Sequence, residues 1–101
     1  MKQSCIDFLM EQFGDEETVK EIYDEYAKSI VEKTAEADST LSAGQWDELD
    51  HVAHAIKGNA LATGDNAMAE TAIELRLAAK LQDKDKSTAL VNKIKELAKD
   101  I

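Results

Sequence analysis

His54 is followed at i+3 by Lys57 and at i+4 by Gly58, within the run Ala53-His54-Ala55-Ile56-Lys57-Gly58-Asn59-Ala60, and Gly64 lies further along. Residues three and four apart share one face of a helix. A neutral imidazole offers a free lone pair near physiological pH and can form a covalent phosphoryl intermediate. Phosphoryl transfer asks little acid–base chemistry of the protein; it needs positioning and compensation of charge on the phosphoryl oxygens. Lys57, one turn from His54, is placed to compensate that charge. Gly58 removes a side chain beside the imidazole and lets a partner's active site come close. A glycine inside a helix costs about 1 kcal/mol relative to alanine, so its presence there needs a reason. Together these residues have the chemistry of a phosphorylatable histidine.

The elements that must position this face follow from apolar spacing. A short first helix carries Ile6, Leu9, Met10 and Phe13 and ends at Gly14. Asp15 caps the next helix, with Glu16 and Glu17 favourable in its first turn. That second helix carries Val19, Ile22, Tyr23, Tyr26, Ile30 and Val31, runs to about Leu41, and breaks at Gly44. Ser42 and Gln45 have capping-box spacing, which would put the boundary a few residues earlier. The third helix covers Gln45 to Thr63, with Leu49, Val52, Ala53, Ile56, Ala60 and Thr63 as its core stripe. At about 100° per residue, His54 points away from that stripe and is exposed, with His51, Lys57, Gly58 and Leu61 on the same outward face.

Gly64-Asp65-Asn66 is a turn in which Asp65 or Asn66 caps a fourth helix carrying Met68, Ala72, Leu75 and Ala79. A polar connection over Gln82–Lys86 leads to a last helix with Leu90, Ile94, Leu97 and Ile101. Short connections between long helices imply antiparallel neighbours. The expected fold is all-α: an antiparallel up-down four-helix bundle with a short extra N-terminal helix across one end, and residues 1–101 as a single domain.

Composition narrows the function classes. The chain has 101 residues, 44% hydrophobic and 33% charged, with no proline and four glycines, a balance that favours helix throughout. Its net charge of −9 repels phosphate backbones and anionic lipids, which argues against nucleic acid and membranes as partners. The single cysteine, Cys5, excludes an internal disulfide and reads as a packing residue. With no signal peptide and no long apolar run, the expected location is the cytoplasm. Met1 followed almost at once by a helix suggests a freestanding protein.

Other readings of the same residues compete. His51 lies one turn before His54 but lacks a lysine-glycine pair at the right spacing; it reads as a rim residue at a partner surface. His51 and His54 with Asp47 or Asp50 could hold a metal, but a zinc site wants three or four well-placed ligands, and no metal is expected. Leu61 is either an isolated surface leucine or part of a docking patch, with Phe8, Met10 or Phe13 contributing from the first helix or else packing in the core. Trp46, Tyr23 and Tyr26 read as packing residues. The run Asp15-Glu16-Glu17 is a helix start that could also repel wrong partners.

Residues 53–64, AHAIKGNALATG, resemble the signature of histidine-containing phosphotransfer (HPt) domains. In that family a histidine is followed by a hydrophobic residue, lysine and glycine, then small residues and a second glycine. Here these are His54, Ile56, Lys57, Gly58, Asn59-Ala60 and Gly64. The upstream AGQWDELDHVAH is similar to the family's approach to its histidine; the similarity is densest over residues 43–79, and the helix count and order extend it to the whole chain. The resemblance implies a bundle with His54 exposed on its second long helix. It also implies a phosphocarrier that takes a phosphoryl group, on Nε2, from the aspartate of one receiver domain and passes it to another.

Its partners would be response-regulator receiver domains and a hybrid sensor kinase. The receiver would bring Mg²⁺ and the carboxylates, and this chain would need no cofactor of its own. Two positions depart from the family pattern. Many members carry Glu or Gln where this chain has Arg76, its only arginine, which could contact phosphate or partner or pair with a local carboxylate such as Glu70. Asn59 stands where Ser or Ala is common and either hydrogen-bonds near the site or sits at its edge.

Two further functions compete with a phosphocarrier. A dimerisation bundle of an autophosphorylating histidine kinase would want a carboxylate directly after the histidine as base; Ala55 stands there. That reading predicts a dimer, the HPt reading a monomer. A non-catalytic helical adapter would bind through the Leu61 face without needing His54. No glycine-rich ATP-binding motif is present, and the length leaves no room for a separate ATP-binding domain, so the chain is expected to be no autokinase.

Overall fold

The computed structural model describes residues 1–101. Five helices follow one another: α1 (Gln3–Phe13), α2 (Glu16–Ser42), α3 (Trp46–Thr63), α4 (Asn66–Lys80) and α5 (Lys84–Ala98). Aspartates start three of them. Asp15 accepts from the Thr18 amide at 3.3 Å and the Thr18 hydroxyl at 2.6 Å, Asp65 from the Met68 amide at 3.3 Å, and Asp83 from the Lys86 amide at 3.1 Å. Each satisfies an amide that the first turn leaves without a helical partner. Of the two residues expected to cap α4, Asp65 does so.

Around the bundle, α2 packs on α3, α3 on α4, α4 on α5 and α5 back on α2. The core between them is built from Tyr26, Ile30, Leu49, Ile56, Met68, Leu75, Leu90 and Ile94 among others, with many alanines where helices approach closely. Trp46 is half-buried against it.

Helix lengths explain where α1 goes. At 1.5 Å per residue the 27-residue α2 spans about 40 Å, against about 27 Å for the 18-residue α3. The N-terminal turns of α2 therefore project beyond the neighbouring helix, and α1 covers them. Cys5 and Leu9 bury against Val19 and Tyr23 in a second, smaller cluster, to which Ile101 also packs. The expected placement of α1 at one end of the bundle is what the structure shows.

Asp65, fully buried, ties that end together. It accepts from the Tyr26 hydroxyl of α2 at 2.7 Å and pairs with the Lys2 ammonium just before α1, besides capping α4. The Lys2 amide in turn donates to the Tyr23 hydroxyl oxygen at 2.8 Å. Burial, then the bond to Asp65, pushes the Tyr26 hydroxyl far above the usual tyrosine range, so it remains a donor. Gly64 has φ +77°, and a Cβ there would lie 2.5 Å from Cβ of Phe8. The second glycine of the motif thus both ends α3 in the left-handed region and makes room for α1.

Four details differ from the sequence reading. Val31 is 70% exposed, because its position on α2 turns beyond the buried stripe. Ser42 stays inside α2 as its last residue, and Gln45 caps α3 without a side-chain bond, so the Ser42–Gln45 capping box does not form. The connection before α5 is shorter than Gln82–Lys86: Lys84, Asp85 and Lys86 are its first helical turn behind the Asp83 cap. Finally, α5 ends at Ala98, and Ile101 packs from beyond the helix.

Candidate functional site

The stripe expected to hold α3 to the core is buried as expected: Leu49, Val52, Ala53, Ile56, Ala60 and Thr63. That fixes the rotation of α3 about its axis and turns His54 outward, where it is exposed together with His51, Gly58 and Leu61. None of the molecule's four surface concavities includes His54. The ring stands on a convex face, open to the approach of another molecule.

One side of the imidazole is engaged. Arg76 reaches over from α4 and bridges two residues of α3. Its Nε donates to Asp50 Oδ1 at 2.9 Å, and its Nη1 lies 2.9 Å from His54 Nδ1. Asp50 and His54 are i and i+4 on one face, which is why a single guanidinium reaches both. The Arg76 and Asp50 side chains are 26% and 19% exposed. A pair held this way, half out of water, is worth on the order of 1 kcal/mol. Arg76 does not pair with Glu70, the local carboxylate considered from sequence. Asp50, by sequence a possible metal ligand, instead holds Arg76 beside the ring, and its i−4 spacing from His54 is the signal for that place.

Lys57 is half-buried one turn after His54 and makes no ion pair. It lines a shallow cleft between α3 and α4 with Ile73, Arg76, Leu77 and Lys80, so three cations share a cleft next to His54, which Arg76 touches, on an otherwise acidic molecule. A Cβ on Gly58 would meet nothing within 4 Å. No group of this chain requires a glycine there.

The remaining candidates separate. Asn59 faces α2: its Nδ2 donates to Ser29 Oγ at 2.7 Å, and it lines a different concavity with Ile22, Glu25 and Tyr26. His51 and Leu61 flank the His54 face and are free. In α1, Phe8 and Met10 are half-buried while Phe13 is 53% exposed. No group of three or more His, Cys, Asp or Glu side chains is arranged to hold a metal ion. No helix is long and apolar enough to cross a membrane.

No match to this chain was found among curated proteins or among solved structures. The family model described as Hpt domain matches residues 21–101, which leaves α1 and the start of α2 outside it and takes in all of α3, α4 and α5. The match covers well over half of the sequence and contains the whole His54 face, and on it the chain belongs to the Hpt domain family, whose members carry phosphoryl groups on histidine in phosphorelays and are not kinases.

Proposed function

We propose that His54 is the phosphorylated residue, taking a phosphoryl group from the aspartate of one receiver domain and delivering it to the aspartate of another. One observation carries the reading. His54 is exposed on a convex face, one turn from an unpaired lysine and beside a glycine whose missing side chain opens onto empty space. Lys57 compensates charge on the phosphoryl oxygens, and Gly58 lets the receiver's active site close over the ring. His51 and Leu61 contribute to the docking surface. The receiver supplies Mg²⁺ and the carboxylates, and this chain supplies a nucleophile, a charge and a surface. On this reading residues 1–101 work as one unit, as a monomer in the cytoplasm, served by a hybrid sensor kinase.

Transfer from a panel of labelled, phosphorylated receiver domains tests this, with wild type and His54→Gln side by side. Acid-labile, base-stable label is expected on wild type alone. Label on both proteins would move the site to His51 or elsewhere. No label from any receiver, with phosphoramidate also failing, would favour an adapter. Lys57→Ala should slow transfer roughly tenfold, the effect of losing one charge-assisted hydrogen bond in the transition state, while weakening docking less.

A further inference from the structure

Arginine has only hydrogen-bond donors. The 2.9 Å contact between Arg76 Nη1 and His54 Nδ1 therefore requires Nδ1 to be the acceptor, and a neutral ring must then carry its one proton on Nε2. This arrangement leaves the imidazole without an available nucleophile. Nε2, on the far edge of the ring, is an N–H with no lone pair to offer phosphorus. Nδ1 has the lone pair but is covered by the guanidinium, which Asp50 holds from behind through Nε.

We propose that Arg76 is a positioning residue that keeps His54 silent at rest and releases it when a phosphoryl group arrives. The proposal rests on His54 being the phosphorylated residue. The releasing agent is the anionic phosphoryl group of the receiver. Arg76 and Lys57 line the same cleft beside the ring, and phosphoryl oxygens compete with an imidazole nitrogen for a guanidinium, which favours bidentate oxyanion partners. Once the guanidinium swings to those oxygens, Nδ1 is free to take a proton from water as Nε2 gives one up. The Nε2 lone pair then forms the N–P bond. The P–O bond to the aspartyl carboxyl breaks and its electron pair leaves with the carboxylate. The ring, now positive, loses its Nδ1 proton to water.

The same contact protects the product. With Nδ1 unprotonated and accepting from Arg76 again, the phosphorylated imidazole is a poor leaving group, because expulsion as a neutral ring needs a proton on Nδ1. Arg76 thus slows acceptance in the absence of a docked donor and slows loss of phosphate to water.

The ¹⁵N shifts of the His54 ring in labelled protein test the assignment, at a pH of about 8, where a free imidazole is neutral. Wild type should show an unprotonated Nδ1 and a protonated Nε2. In Arg76→Gln the amide oxygen can accept from Nδ1–H, and the tautomer ratio should move toward Nδ1–H by about tenfold, the low end for a hydrogen bond to a charged group at an exposed site. Phosphoramidate labelling of Arg76→Gln should be several-fold faster, and its phosphohistidine shorter-lived. Arg76→Lys, again donor-only, should keep the wild-type tautomer and the slow labelling, so that the shift toward Nδ1–H with faster labelling belongs to Arg76→Gln alone, a contrast that a merely structural role for the arginine would not produce.

A wild-type ring already in the Nδ1–H form overturns the proposal, and that spectrum decides even if Arg76→Gln fails to fold. Equal ratios in wild type and a folded Arg76→Gln, or slower labelling of Arg76→Gln, also overturn it. If wild type is labelled on His54 while its ring is Nδ1–H, the gate is wrong and the phosphocarrier reading stands. If the ring is Nε2–H as expected but His54 takes no label from any receiver, the phosphocarrier reading fails and the tautomer assignment survives.

Discussion

A glycine in the middle of the 18-residue α3 loosens it by about 1 kcal/mol, and nothing inside the molecule asks for one at position 58. Stability and access therefore oppose each other at a single residue. Gly58→Ala should raise the unfolding free energy by roughly 0.5–1 kcal/mol, read as a higher urea midpoint with unchanged slope, and should slow transfer from a receiver. Gly58→Glu should slow transfer further, by bulk and by repelling the phosphoryl oxygens. Receiver transfer at the wild-type rate in both variants would remove close approach as the reason for this glycine. Lys57 and Gly58 were readable because both lie on the element that carries His54, where the helical period alone decides who shares a face. Arg76 and Asp50 are 26 positions apart and on different helices. Which residue of α4 faces which residue of α3 depends on packing register, and no local pattern encodes that.

At the scale of elements, the docking of α1 concentrates on a few contacts that the sequence did not signal. Helix spans, the Asp15 cap and the α3 stripe were legible because caps and apolar periodicity are local. The roles of Gly64 and Asp65 were legible only in part: the turn and the cap could be read, but not Phe8 against Gly64 or Lys2 and Tyr26 against Asp65. Gly64→Ala should cost well over 1 kcal/mol, since it adds a strained left-handed residue to a clash with Phe8, and should loosen α1 before the rest of the bundle in hydrogen exchange. Tyr26→Phe should cost about 1–3 kcal/mol by leaving a buried Asp65 oxygen without its donor.

The same junction sets an alkaline limit. Burial, chiefly, raises the Cys5 thiol and the Tyr23 and Tyr26 hydroxyls above their ordinary values. The folded state therefore holds protons that the unfolded chain gives up. Their stabilisation is complete below about pH 9, where unfolded-chain thiols and then tyrosines begin to ionise, and is lost as pH rises toward the folded values. Urea midpoints should fall as pH rises from about 9 to about 10.5, and the fall should be shallower in Tyr26→Phe. A flat profile would mean that these groups are not held protonated at the junction of α1 and α2.

Over the whole molecule, nine excess negative charges share a body of 42 × 20 × 18 Å. At about 10 mM salt the screening length is about 30 Å, so charges across nearly the full length repel one another; at about 150 mM it is about 8 Å, and only near neighbours interact. Screening also weakens attractive pairs, but three of the six ion pairs join residues three or four apart along the chain, and pairs such as Lys20–Asp24 and Lys99–Glu96 are widely exposed and worth little at any salt. Net repulsion should therefore dominate, and raising salt over that range should raise the melting temperature by a few degrees, the shift expected for about 0.5–1 kcal/mol in a domain of this size.

On the proposed function, phosphorylation of His54 would add nearly two further negative charges next to the cleft that Lys57, Arg76 and Lys80 line, where the acidic surface is locally reversed. Because those cations absorb the new charge, the phosphorylated form should show almost the same salt dependence as the free form. In Lys57→Ala, with one of the cations gone, phosphorylation should steepen it. A melting temperature that falls with added salt would mean instead that the sheltered pairs Lys2–Asp65 and Arg76–Asp50 outweigh the self-repulsion of the whole.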